Sequence, residues 1–358
     1  MSAPSLERPV EQRGARPAIL RDRPGAAAAL TLPLLLLALV ASVLVAVTIG
    51  AADLSVREVW WSIGDHLNLI DADLSVLRDG IVWEMRLPRV LTAAAVGAGL
   101  AVSGAVMQAL TRNPLADPYL LGLSAGASLG AVLVLLTGLA VSLTVAAFSG
   151  AMIALLGTLM LARSLGVITP SRTVLAGLAV SSFAGAITSL VIFWNTQGDS
   201  YRQILNWLLG SLAGADWGTT KVAWATLLLV GIPVIVYGRV LDAFAFGDTA
   251  AAALGINVSR TRWLLLGGTA LLTGAMVSVS GSIGFVGLVL PNAVRLVVGS
   301  RHRLLLPLSA LVGAIFMIWV DTGARTLFEP RELPVGIITV LVGAPIFVLI
   351  LLRNRERA

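Results

Sequence analysis

The sequence predicts an all-α polytopic membrane protein with about ten transmembrane helices and both termini in the cytoplasm. Three observations carry that fold class. Of 358 residues, 57% are hydrophobic and 12% charged, whereas soluble domains carry roughly 25% charged residues. Apolar runs of the length that crosses ~30 Å of hydrocarbon recur along the chain. Runs such as 30–47 and 346–352 do not alternate apolar with polar residues, so a transmembrane barrel is excluded.

Taken in order, residues 1–26 read as an Arg- and Pro-rich cytoplasmic tail, too polar to fold. The apolar run near 26–50 exceeds the roughly 7–15 residues of a signal-peptide core and reads as a retained first span. Further spans are expected near 87–110, 119–138, 142–163, 172–194, 218–240, 261–279, 283–298, 303–320 and 334–352. Together they make one transmembrane domain over 27–353, with a short cytoplasmic tail at 354–358. The eighth span is short and contains Pro291, which suits a broken helix whose freed backbone groups are satisfied by protein or a cavity. Two outer segments carry structure of their own. Residues 51–85 include an amphipathic piece around Val59, Trp60, Trp61 and Ile63, and 198–213 read as a short interfacial helix with Tyr201 and Trp207 at headgroup level. With the N-terminus inside, most of the 25 Lys and Arg residues fall on the inner side, the bias expected of cytoplasmic loops. That bias accounts for the pI near 10.8 without a nucleic-acid partner.

Much familiar chemistry is missing. There is no Cys, so neither disulfides nor Cys metal sites are available. The two histidines, His66 and His302, lie far apart and outside any HExxH pattern. The single lysine, Lys221, follows Thr219-Thr220, so no GxxxxGK[ST] loop exists to bind ATP. The spans are nearly free of ionisable residues, which argues against an ion-coupled secondary transporter and an intramembrane enzyme. Work against a gradient would then draw on another subunit.

Small residues recur at helical spacing: Gly97, Gly99, Ser103 and Gly104; Gly122, Gly126 and Gly130; Gly281, Gly284 and Gly287. Such faces let helices pack closely in lipid. Asn113-Pro114-Leu115-Ala116-Asp117-Pro118 reads as a rigid reversal in which Asp117 is structural. Arg86 and Arg89 flank Pro88 at the outer start of the second span and share a helix face. They suit carboxylates on a partner, or snorkelling to headgroups. Arg325 and Arg331 lie on the same side, and Asp321 stands four residues before Arg325, a spacing that allows a local ion pair. The inner insertion around 239–262 reads as two short helices. Asp248 is the expected N-cap, Gly255 the stop, and Asn257 or Ser259 the next cap.

These motifs resemble the FecCD family of ABC-importer permeases. The matching pieces are RLPRVL (86–91), GAVMQALTRNPLADPYLLGLSAGA (104–127), the 239–262 insertion, GSIGFVGLVLPNAVRL (281–296) and ELPVGIITVLVGAPIFVLILL (332–352). The resemblance runs from about residue 30 to 353. It implies a multi-pass subunit of a bacterial cytoplasmic membrane, paired with a second permease, itself or a paralogue. Two ABC ATPases bind below and carry the ATP and Mg, so this chain itself has no cofactor and no catalytic residue. A binding protein docks outside on Arg86, Arg89 and Arg325. Asp248, Thr249, Ala250, Ala251, Leu254, Gly255, Ile256 and Arg260 would couple to the ATPase. Ser181, Ser182, Thr188, Ser189 and Asn195 would line the pathway. The expected cargo is an iron-siderophore complex, with haem or cobalamin as the alternative.

Overall fold

The structure, a computed structural model, describes residues 24–50, 52–166, 169–195, 200–244, 246–328 and 331–355. Most of the predicted tail at 1–26, and residues 356–358, lie outside the described residues. Every described regular element is helical. Among the described residues, seven helices are long and apolar enough to cross a membrane, and three shorter apolar helices occupy further segments read as spans. The long ones include α1 (Pro24–Thr48), α4 (Leu87–Thr111), α6 (Leu143–Ser164), α7 (Pro170–Asn195), α13 (Val258–Ser280) and α15 (His302–Thr326). The shorter ones are α5 (Leu123–Thr137), α14 (Val286–Val298) and α16 (Val335–Arg355). The remaining long segment is α9 (Trp217–Thr226), joined through a π turn to α10 (Ile232–Val236).

Helix α4 is the axis of the bundle, buried along almost its whole length and enclosed by α9, α13, α14 and α15. Its glycines are what permit this. A Cβ on Gly97 would lie 2.1 Å from the Gly313 carbonyl of α15, and one on Gly104 would lie 1.9 Å from the Gly287 carbonyl of α14. Backbone therefore meets backbone, as small-residue faces allow in lipid. The Gly126 and Gly130 face of α5 meets Gly150 and Ala146 of α6 in the same way, at 2.3 and 2.2 Å.

One expectation needs correction at the start of α4. RLPR does not open a helix. Helix α3 (Val76–Gly80) runs through a π turn at Ile81–Arg86 straight into α4. Pro88, which lacks an N–H, sits where the π turn hands over to α geometry, a place where regular bonding is already interrupted. The amphipathic piece at 51–85 is α2 (Val56–His66), started by a Ser55–Glu58 capping box. The interfacial piece at 198–213 is α8 (Ser200–Leu208). Tyr201 is exposed there, but Trp207 is half-buried and its carbonyl abuts Gly281.

The eighth span is short, as expected, but its helix runs through Pro291 unbroken. The non-helical backbone lies before it, over residues 281–284, where Gly281 has a φ of 68° and Phe285 takes a left-handed φ of 70° before α14. The freed backbone finds partners. Tyr119 donates its hydroxyl to Ile283 O (2.9 Å), the Ser211 N–H donates to Ser280 O (2.9 Å), and Ser124 and Ser282 share a 2.7 Å hydrogen bond. Pro291 cannot bond the carbonyl four residues back, at Gly287. Gln108 of α4 donates to Gly287 O and Leu288 O instead (3.3 and 3.2 Å). This is the compensation that membrane depth demands.

Candidate functional site

Three arginines distant in sequence meet at the end of the bundle where α1 and α15 finish and α4 begins. Arg86 donates to Ala52 O (2.7 Å) and Thr48 O (3.3 Å), so it caps the C-terminus of α1, whose last carbonyls lack helical partners. Arg89 places Nε 3.0 Å from both oxygens of Asp321 and Nη1 2.8 Å from Glu332 Oε2. Arg325 donates through Nη2 to Ala46 O (2.8 Å) and Thr322 Oγ1 (3.2 Å), with Nε 3.8 Å from Asp321. The spacing-based ion pair therefore exists, but the nearer partner of Asp321 is Arg89.

The expectation that these guanidiniums are displayed at the surface is not met. Arg86, Arg89 and Arg325 are only 5%, 8% and 6% exposed, and Asp321 is 1% exposed. The helix begins well before RLPR, which sinks Arg86 and Arg89 below its true start. Carbonyls and carboxylates from α1, α15 and the segment before α16 then accept from several of the N–H groups. The cluster holds three guanidiniums against two carboxylates, and Glu332, with its side chain 46% exposed, forms the open edge.

At the opposite end, the 239–262 insertion folds as α11 (Gly238–Phe244) and α12 (Asp248–Ala253), followed by the first turn of α13. Gly255 stops α12 at φ +80°, and Asn257 caps α13 by accepting the Arg260 N–H at 3.0 Å. Asp248 is not the N-cap. Gly247 holds that position, and the Asp248 carboxylate pairs with Arg262 at 2.8 Å. Ala251 is fully buried against the bundle, whereas Thr249, Leu254, Gly255 and Arg260 are exposed; Ala250 and Ile256 lie between. Sequence reading missed Phe246, 82% exposed beside Leu254 at 71%. Two large apolar side chains on a capped turn are the signal that could have found it.

On α7, Ser182 and Ser189 are exposed and share a face seven residues apart, with Ser181 half-buried beside them. Thr188 turns inward and donates to Ala184 O (2.8 Å). The side chain of Asn195 lies outside the described residues. Large apolar side chains dominate the same helix surface, notably Leu178, Phe183, Leu190 and Phe193.

Near α11 and α12, Gln108, Asn292 and Arg295 form a polar knot that sequence reading passed over. Asp117 lies in the adjoining reversal and accepts the Tyr119 N–H at 2.8 Å, the structural role expected of it. Burial pushes its carboxyl up to about 6, against the lowering pull of that hydrogen bond. Among the described residues no group of three His, Cys, Asp or Glu could hold a metal.

Residues 36–353 match the family model of the FecCD transport family. The chain belongs to the FecCD transport family. Its relatives agree. The haemin transport system permease HmuU of Yersinia pestis is 39% identical over 335 residues, spanning 92% of this chain and 97% of its own length. The vitamin B12 import permease BtuC of Vibrio cholerae is 43% identical over 290 residues, 79% of this chain and 86% of that protein. YvrB of Bacillus subtilis, an uncharacterised ABC transporter permease, is 44% identical over 283 residues, 77% and 80% of the two chains. A solved metal-chelate type ABC transporter in an inward-facing conformation aligns with a TM-score of 0.78 and 32% identity, covering 90% of this chain and 99% of that one. This FecCD chain is thus a multi-pass permease of an ABC importer.

Proposed function

We propose that this permease carries a metal chelate inward across a bacterial cytoplasmic membrane, with an iron-siderophore complex as cargo. The likeness to a metal-chelate type transporter over 90% of the chain is the observation that carries this reading. Relatives named for haemin and vitamin B12 support haem or cobalamin equally. All three are bulky metal complexes, which suits a pathway with hydroxyl and apolar groups and no fixed charge, as on the Ser182–Ser189 face of α7.

In this reading the chain crosses the membrane ten times with both termini cytoplasmic. It pairs with a second permease and rests on two ABC ATPases that hold ATP and Mg, and nothing covalent happens to the cargo. The exposed face of α12, with Leu254 and Phe246, engages the ATPase. Closure of the ATPase dimer then moves α11 and α12 against the bundle and shifts it between inward- and outward-open states. Outside, a binding protein docks over the arginine cluster. Because Arg89 already holds Glu332, a docking carboxylate acts by exchanging with Glu332 at the exposed edge.

The test is uptake of labelled ferric siderophores, haem and cobalamin into proteoliposomes holding the permease, its ATPase and its binding protein. Selective ferric-siderophore uptake is expected. Uptake of haem or cobalamin alone would move the cargo to the alternative.

A further inference from the structure

A cavity of about 300 Å³ opens beside α11 and α12, lined by Gln108, Arg112, Asn113, Pro114, Arg295 and His302. Its positive charge is not balanced among the described residues. Arg295 donates to Asn292 Oδ1 (2.6 Å) and Gln108 Oε1 (3.1 Å), both neutral amides. Each amide is itself held: Asn292 donates to Pro114 O and Leu288 O, both at 2.8 Å, and Gln108 donates to Gly287 O, freed by Pro291, and to Leu288 O. The guanidinium is therefore fixed, half-buried and not neutralised, and further N–H donors remain for an anion. The nearby carboxylate of Asp242 is taken by His302, whose backbone N–H lies at 2.7 Å and ring nitrogen at 2.8 Å.

Arg112 adds a second charge. It is exposed and makes no ion pair among the described residues. It also ends α4 in the left-handed region, at φ 52°, where glycine is the ordinary choice. A side chain kept at a position that disfavours it suggests a use for the guanidinium.

We propose that this cavity is an anion pocket that receives a carboxylate side chain of the ATPase, next to the coupling segment but separate from it. Two placements favour that occupant over a lipid headgroup. The pocket lies at the end of α4, which is enclosed by other helices, so it opens toward the aqueous side and not the bilayer perimeter. Arg112 Nη1 also reaches to 3.5 Å from where a Cβ on Gly247 would stand, immediately before α12. The proposal rests on reading 239–262 as the ATPase-coupling segment.

The experiment measures ATPase affinity for the full-length permease in nanodiscs containing anionic phospholipid, across a salt series. Arg112→Gly relieves the left-handed backbone, so its melting temperature should hold or rise while ATPase binding weakens. Arg112→Lys should keep most of the affinity. Combined with Arg295→Gln, the loss should reach about tenfold or more, with a shallower salt dependence. Unchanged affinity in Arg112→Gly and in the double variant would overturn the pocket, as would loss of co-purifying phospholipid with ATPase binding intact. Leu254→Ser separates the two readings. Affinity lost there but not with Arg112→Gly overturns the pocket alone, whereas a wild-type chain that binds no ATPase overturns both.

Discussion

Arg89 is the residue on which the first cluster turns, because its fork holds one carboxylate that is buried and one that is not. Removing it leaves the buried Asp321 with only the longer 3.8 Å contact to Arg325, while removing Glu332 only frees an exposed edge. Arg89→Ala should therefore cost up to about 3–5 kcal/mol of stability, the range for breaking a buried ion pair, reduced by the Arg325 contact that remains. Glu332→Ala should cost less than about 1 kcal/mol. Thermal unfolding of the two purified variants checks the ranking, and equal losses would contradict the cluster geometry. Asp117 makes a pH-dependent counterpart. Its carboxyl titrates at about 6 in the folded chain, above the ordinary aspartate value, so the folded state binds the proton more tightly than the unfolded one. Its contribution is fully present below about pH 4, falls as pH rises to about 6, and is flat above. Asp117→Asn, which keeps an acceptor for the Tyr119 N–H, should remove that slope from the melting temperature across the same window. The Asp321–Arg325 spacing was readable in the sequence, but the partnership of Arg89 with Asp321 and Glu332 was not. It spans more than 230 residues of chain, and periodicity reports only neighbours on one helix.

Helices in this bundle are fixed by what their small residues allow and by what their breaks release. Gly104 admits the α14 backbone, and Gln108, one turn further along α4, satisfies the Gly287 carbonyl that Pro291 leaves free. Gly104→Val would drive a side chain into Gly287 O. Expected is a loss of at least the 1–3 kcal/mol typical of overpacking, whereas a valine at Gly284, which meets nothing within 4 Å, should be milder. The two melting temperatures decide it. The spans were legible because apolar length and glycine spacing are local properties. The helical course through Arg86 was not, because the π turn that leads into Pro88 leaves no simple sequence signature. Asp248 was misread as a cap because Gly247, with its φ of +97°, provides the turn and releases the carboxylate to Arg262.

The whole molecule divides its work between its two ends. One end buries a charge cluster with a single exposed edge, and the other presents a capped apolar turn beside an unbalanced cationic cavity. The sequence has no GxxxxGK[ST] loop, and the spans carry little charge. The family was legible from NPLADP, GFVGLVLPN and the 239–262 insertion. The cargo was not, since no residue in the sequence chooses between an iron-siderophore complex, haem and cobalamin. The most direct test of the account is the energy source. Uptake into proteoliposomes should require ATP with the partner ATPase, and should survive ionophores that collapse proton and sodium gradients. Uptake that persists without the ATPase and vanishes with the ionophores would contradict it.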